Sequence, residues 1–395
     1  MTQRLLDSAE IVRSCTWRVH EGLIKYKKVI IMHMMDPSTP CNDLAPLPPG
    51  HDLETPSVLK KAISAHRELA RLSGYCSLLP NESILLNTIV LKEARASSEI
   101  ENIVTTTDEL YRALVSDRAL SDPAVKEVLN YRSATWTGYR LLRETGLLTT
   151  RTIVAIQEEL EQNRAGIRKL PGTTLTNDRT GEVIYTPPDN EATIRGLLKN
   201  LEEYINTDTA SDPLIKMAVM HYQFESIHPF YDGNGRTGRI LNVLYLIRQG
   251  LLSSPILYLS RYIIRNKPSY YELLQGVRTK EAWIDWIAFM LEAVEQTARQ
   301  TLDTIRSIVS LMDETVEYAR ERLPKTTYSK ELIELLFVQP YTRIDHLVQK
   351  DIGERRTASK YLRQLSEIGV LEPLRMWRQT IYINRKLMDL LRQAD

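Results

Sequence analysis

The chain has 395 residues, a formal net charge of +1 and 43% hydrophobic residues, enough for two or three domains with at least one sizeable core. The near-neutral balance excludes a global attraction to nucleic acid or to a membrane surface, and no run of about 18 apolar residues is present to span a bilayer. Three cysteines, Cys15, Cys41 and Cys76, lack metal-ligand spacing and leave one unpaired in any disulfide scheme, which fits inert thiols in a reducing, cytoplasmic setting.

The first residues carry Arg4, Arg13 and Arg18 and a short apolar patch from Val29 to Met32, without the long apolar core or small-residue cleavage site of a signal peptide. Met32, Met34 and Met35 precede a loop-like Asp36-Pro37-Ser38-Thr39-Pro40. One reading is that the native start lies there and that residues 1–34 are an upstream artefact of translation assignment. From Asp36 to Pro56 the composition is that of a Pro-rich linker, and helical periodicity then begins, with Leu59, Ile63, His66 and Leu69 expected on one buried face.

Further helices are expected at about 81–97, 107–116, 124–143 and 150–162. The segment 172–188 breaks the helical pattern. Thr173 to Thr176 and Val183 to Thr186 are β-formers on either side of Asn177-Asp178-Arg179-Thr180-Gly181, which predicts a hairpin. Asp212 followed by Pro213 predicts an N-cap and a helix to about Ile227, with Leu214, Met217, His221 and Phe224 inside and His221 as a packed core residue.

Next comes His228-Pro229-Phe230-Tyr231-Asp232-Gly233-Asn234-Gly235-Arg236-Thr237-Gly238-Arg239. Two glycines flanking an asparagine let backbone N–H groups turn toward an anion. The apolar run Ile240 to Ile247 predicts a buried helix, ending before Gly250, whose positive N-terminal end faces the same point. Such a loop binds a polyphosphate.

A long amphipathic helix follows from about Ala288, with Leu291, Val294, Ala298, Leu302, Ile305 and Ile308 on one side and Pro324 marking its end. Three short helices (330–338, 342–349 and 354–368) and two strands (370–374 and 380–383) then predict a winged helix-turn-helix. Arg355, Arg356, Lys360 and Arg363 decorate its third helix, a face that suits either DNA or protein docking.

The string from His228 to Arg239 resembles the signature of the Fic family, His-x-Phe-x-Asp/Glu-Gly-Asn-Gly-Arg-x-x-Arg, at every specified position. The resemblance runs from about Pro49 to the C-terminus and is nearest to bacterial, SoFic-type members with a C-terminal winged helix. It implies a predominantly α fold, a Fic-type helical bundle with a β-hairpin flap. The expected organisation is an ill-defined extension at 1–45, a helical region at 46–145, a catalytic core at 146–300, a linker helix at 301–324 and the winged helix at 325–395.

The resemblance also implies an activity: transfer of AMP from ATP, with Mg2+, to a Tyr, Thr or Ser hydroxyl of a target protein. His228 would be the base, Asp232 the metal ligand, and Gly233, Asn234 and Gly235 the stabilisers of charge on the α-phosphate. Arg236 and Arg239 would hold the β- and γ-phosphates, and Tyr270 and Tyr271 would line the adenosine pocket. Ser97-Ser98-Glu99-Ile100-Glu101-Asn102 is similar to the family's inhibitory pattern through Ser97, Glu101 and Asn102, so that Glu101 would pair with Arg239 and compete with ATP. The hairpin, through Val183, Ile184 and Tyr185, would dock an extended target segment by strand addition. Self-modification and a homodimer are further implications. The same site could instead remove AMP from a modified protein, or serve an ATP-sensing transcriptional regulator that binds DNA through the winged helix.

Overall fold

The computed structural model describes residues 36–77, 83–115, 122–177, 180–207, 211–376 and 379–393. The reading of the native start near Met32 to Met35, the thiol of Cys15 and the centre of the hairpin turn at 178–179 lie outside the described residues. Among the described residues the architecture is predominantly α, with two small antiparallel sheets.

Two helices form the centre, α7 (Pro213–Ile227) and α8 (Asn234–Arg248), numbered in chain order. Asp212 caps α7 by accepting from the N–H groups of Leu214 and Ile215, and Pro213 at the first position has no N–H to satisfy. Both helices are buried nearly all round, because other helices cover every face. That shell includes α4 (Pro123–Thr145), α5 (Thr150–Glu161) and α6 (Glu191–Asn206). Gly138 in α4 lets α8 approach closely: a Cβ there would lie 2.6 Å from Leu244 Cδ1 and 2.8 Å from Ile156 Cδ1.

The predicted helix boundaries differ little from α2 (Ser83–Ile100), α3 (Thr107–Val115), α4 and α5. Helix α6 stands where no helix was expected. Its sequence carries the apolar spacing Ile194, Leu197, Leu198, Leu201 and Ile205, all buried, and an Asn190 cap.

The face expected for α1 (Pro56–Cys76) is corrected. Its buried residues are Val58, Ala62, Ala65, Glu68, Leu69, Leu72 and Cys76, whereas Ile63 is 69% exposed and Leu59 37% exposed. The reason is its partner. Helix α1 lies along α11 (Trp283–Arg322), and two alanines permit an approach that a Leu/Ile face would not.

The long helix expected from about Ala288 to Pro324 is α11, which starts earlier, at Trp283, and runs for 40 residues to Arg322 with Leu302, Ile305 and Ile308 buried. The Pro-rich stretch is a strap and not a free linker. Cys41 N–H donates to the Thr186 carbonyl at 3.0 Å, Leu47 N–H to Asn200 Oδ1 at 2.7 Å, and Gln223 Nε2 to the Ala45 carbonyl at 2.9 Å.

The hairpin is formed by β1 (Leu175–Thr176) and β2 (Val183–Tyr185), antiparallel, with a register irregularity at Leu175/Thr176. After the short helix α9 (Ser260–Arg265) and α10 (Lys267–Lys280), α11 leads to the C-terminal region. There the order is α12 (Lys330–Val338), β3 (Tyr341–Thr342), α13 (Ile344–Gln349), α14 (Arg355–Glu367), β4 (Glu372–Met376), β5 (Gln379–Ile383) and α15 (Arg385–Gln393). The strands make an antiparallel sheet in the order β3-β5-β4. Helix α12 packs on α2. Arg343 Nη1 donates to the Val115 carbonyl at 3.1 Å, and the Tyr341 hydroxyl bonds the Asp108 carboxylate, so the C-terminal region grips α3 as well.

Trp286 anchors α11 to α7. It is fully buried, and its indole N–H donates to the Ala218 carbonyl at 2.8 Å. Trp286→Ala should lower stability by about 3–5 kcal/mol through lost burial and a residual cavity, read as a shift in the denaturant midpoint of the unfolding transition.

Candidate functional site

His228 follows α7 as its C-cap, with φ 48° and ψ 59°. A left-handed conformation in a non-glycine residue is uncommon and here turns the imidazole out of the helix path. The chain is held in that turn from behind. Arg168, fully buried, donates through Nε to the His228 carbonyl at 2.7 Å and through Nη2 to the Ile227 and Pro188 carbonyls, while its own N–H donates to Pro229. A guanidinium fork suits this task because it satisfies several carbonyls at fixed angles.

The turn itself is closed by Asn234. Its Oδ1 accepts from Phe230 N–H and its Nδ2 donates to the Phe230 carbonyl, both at 2.8 Å. The Asn234 side chain therefore builds the loop, and Phe230, fully buried, pins it to the core. Gly233 caps α8 at φ 78°, so the first N–H groups of this buried helix have no side-chain cap.

Two arginines flank that helix end. Arg239, 1% exposed, donates through Nε to Ser97 Oγ at 2.7 Å and through Nη2 to the Ser97 carbonyl at 2.9 Å and to Glu101 Oε1 at 2.8 Å. Ser97 lies in the last turn of α2 and Glu101 just past it, where Asn102 reverses the chain at φ 63°. Lys267 Nζ donates to Asn102 Oδ1 at 3.2 Å. Ser97, Glu101 and Asn102 are thus one structural unit docked on Arg239. Arg236, 4% exposed, bonds Glu127 Oε2 at 2.9 Å and Glu161 Oε1 at 2.8 Å and lies 3.6 Å from Asp232 Oδ1.

Burial opposes charge at Glu101, but the Arg239 charge and hydrogen bond outweigh it and hold the carboxyl below its usual range. Burial likewise opposes charge on Arg239, and Glu101 and neighbouring groups raise its pKa above the ordinary value. Glu225, buried beneath the same guanidinium, is pushed up to about 7 by burial.

Tyr270 and Tyr271 are brought together edge to face at 5.2 Å but have different surroundings. Tyr270 is 1% exposed and its hydroxyl pairs with His221 Nε2 at 2.8 Å, inside the core. Tyr271, 43% exposed, is the member of the pair with an open face. In the hairpin, Val183 and Ile184 are half-buried, while Tyr185 is buried, donates to the Ser226 carbonyl at 2.9 Å and lies under Arg278 at 4.0 Å. Its ring anchors the hairpin and is not a docking surface.

Family models together match about two thirds of the chain: the Fic/DOC family N-terminal model at residues 59–140, the Fic/DOC family model at 147–246 and the C-terminal domain of protein adenylyltransferase SoFic-like at 311–387. The chain belongs to the Fic family. It is similar to a probable protein adenylyltransferase of Aquifex aeolicus, 27% identical over 183 residues, which are 45% of this chain and 54% of that protein. It is also similar to the protein adenylyltransferase fic-1 of Caenorhabditis elegans, 31% identical over 102 residues, 25% of this chain and 20% of that one. The chain thus spans about half the length of the first relative and a fifth of the second. Its fold matches the crystal structure of a Fic family protein from Desulfovibrio desulfuricans G20 with a TM-score of 0.56 at 20% identity, covering 85% of this chain and 98% of the other.

Within this Fic site, Arg168, Glu127, Glu161 and Glu225 cannot be picked out from the sequence. Each is separated from the motif string or precedes it, and its type and spacing carry no signature; only their convergence does. Asp232, with its side chain 77% exposed, accepts from Gly233 N–H at 2.6 Å. Among the described residues no three His, Cys, Asp or Glu side chains form a metal cage.

Burial, reinforced by Arg168 and Arg278, lowers the His228 pKa to about 4. The imidazole is therefore neutral, and able to accept a proton, around neutral pH. A titration of the His228 ring by NMR, assigned with a His228→Ala control, should show no protonation step between pH 6 and 8; a midpoint near the unperturbed 6.5 would contradict the buried setting.

Proposed function

We propose that this Fic protein is a protein adenylyltransferase that moves AMP from ATP to a Tyr, Thr or Ser hydroxyl of a target protein, restrained by Glu101. The observation that supports the reading is the convergence on one helix end of a neutral imidazole, helix N–H groups without a side-chain cap and two buried arginines, each held by a carboxylate. Nucleotidyl transfer asks little more of a protein than alignment and charge neutralisation.

The target hydroxyl oxygen attacks the α-phosphorus and the P–O bond to the β-phosphate breaks, with pyrophosphate leaving. His228 accepts the hydroxyl proton. The N–H groups of Asn234 and Gly235 face the oxygen on which charge develops. Arg236 and Arg239 bind the outgoing phosphates. The Asn234 side chain acts through the loop it closes. Tyr271, more than Tyr270, borders the adenine side.

Asp232 fits magnesium: it is a single, solvent-facing carboxylate beside the phosphate cradle, and magnesium keeps several waters and takes few protein ligands. When bound it would neutralise phosphate charge. Glu101 opposes ATP because a carboxylate and a γ-phosphate use the same face of Arg239.

We read residues 46–145 as the helical region that bears the brake, 146–300 as the catalytic core and 325–395 as a winged helix. The hairpin offers its main chain and the Val183 and Ile184 side chains to an extended target. Of the four basic residues on α14, Arg355 pairs with Asp345 at 2.6 Å and Arg363 with Glu367 at 3.7 Å. That internal pairing favours protein docking over DNA binding.

Glu101→Gly should raise incorporation of label from α-labelled ATP into protein by about tenfold or more, the equivalent of removing one charge-assisted contact to the phosphate-binding arginine. His228→Ala in that background should lower it by roughly 10²–10⁴-fold. Label transfer that ignores both substitutions would end this reading. Release of AMP from a premodified protein, without transfer from ATP, would favour the hydrolytic direction at the same site.

A further inference from the structure

The cradle holds a second carboxylate besides Glu101. Glu161 ends α5, with its side chain 14% exposed and its Oε1 2.8 Å from Arg236 Nη2. The same oxygen rests against Gly233, 2.5 Å from the point a Cβ would occupy. It therefore sits at the head of α8, where the helix presents its free N–H groups. The arrangement on the other side is parallel: Glu101 Oε1 rests against Gly235 while it pairs with Arg239. Each glycine of the Gly-Asn-Gly turn is covered by one carboxylate, and each carboxylate holds one of the two arginines.

Glu127 is not equivalent. It reaches the other arm of Arg236 at 2.9 Å, is 41% exposed, and is not among the atoms nearest either glycine.

We infer that Glu161 is a second phosphate surrogate, so that a polyphosphate seats fully in the cradle only when both Glu101 and Glu161 have exchanged off their arginines. The inference rests on the proposed polyphosphate-binding reading of the site. Carboxylate and phosphate share the bidentate geometry that the guanidinium fork recognises. The two anions are held differently. Burial raises the Glu161 carboxyl, and although Arg236 draws it down, Asp232 and Glu127 add repulsion, whereas Arg239 holds Glu101 below its usual range. Glu161 is one of three carboxylates around Arg236. Its departure does not strand a buried cation, because Glu127 and Asp232 remain 2.9 Å and 3.6 Å from Arg236.

Calorimetric titration of the full chain with magnesium ATP, and separately with magnesium pyrophosphate, tests this. The proteins compared are Glu101→Gly and the double variant Glu101→Gly/Glu161→Gln. Both probes should bind the double variant about five- to tenfold more tightly, the equivalent of one displaced charge-assisted hydrogen bond. Glu161→Asp, too short to span Gly233 and Arg236, should shift binding the same way and decides the matter if the glutamine variant melts early. Unchanged or weaker binding of both probes by a natively melting variant would overturn the inference and make Glu161 a support for Arg236. Tighter pyrophosphate binding without ATP binding by any variant would uphold the inference and sink the adenylyltransferase reading. Failure of every variant to bind either probe would sink both.

Discussion

A guanidinium buried at the end of a buried helix must be neutralised, and that requirement at Arg239 organises the site. With 1% exposure it has no recourse to water, and Ser97 and Glu101 satisfy it from a different part of the chain. Burying one charge without its partner is strongly unfavourable. Under the proposed function the cation would accept either carboxylate or phosphate, and the choice between them would be the control point. Arg236 repeats the situation with Glu127 and Glu161. In that proposal, anion recognition and restraint are two uses of one electrostatic demand.

That demand reaches beyond the loop. Helix α2, which carries Ser97 and leads to Glu101, is packed against α4 and α9, and the C-terminal helix α12 lies on it. The next helix, α3, is gripped through Asp108 and the Val115 carbonyl by the C-terminal region. The segment that neutralises Arg239 is thus bracketed by a domain remote in sequence. Behind the loop, Arg168 bonds the carbonyl of His228, which stands in a left-handed turn uncommon for a non-glycine residue.

Legibility varied with the kind of signal. The string from His228 to Arg239 could be read because its chemistry is contiguous, and α7 because Asp212-Pro213 marks its start. The hairpin could be read from β-formers around a turn. The burial of α1 could not: Leu59 and Ile63 looked like the inner face, but α11 selects the alanine face because it permits closer packing. Asn234 reads as a ligand by type, and its two bonds to Phe230 make it a loop-builder. Tyr270 and Tyr271 read as a pair, yet one belongs to the core through His221.

By itself, the sequence determined the helical class, the hairpin, the Gly-Asn-Gly loop and the family, because each is written in residues close together whose spacing has a direct geometric meaning. Only the tertiary structure decided which acids face Arg236, which tyrosine is open and which face of α1 is inside. The first of these depends on Glu127 and Glu161 arriving from separate helices at one guanidinium, and pairing across such distances leaves no periodicity in a single chain. Local chemistry is encoded locally; neutralisation of a buried charge is settled by whatever the fold brings within reach of it.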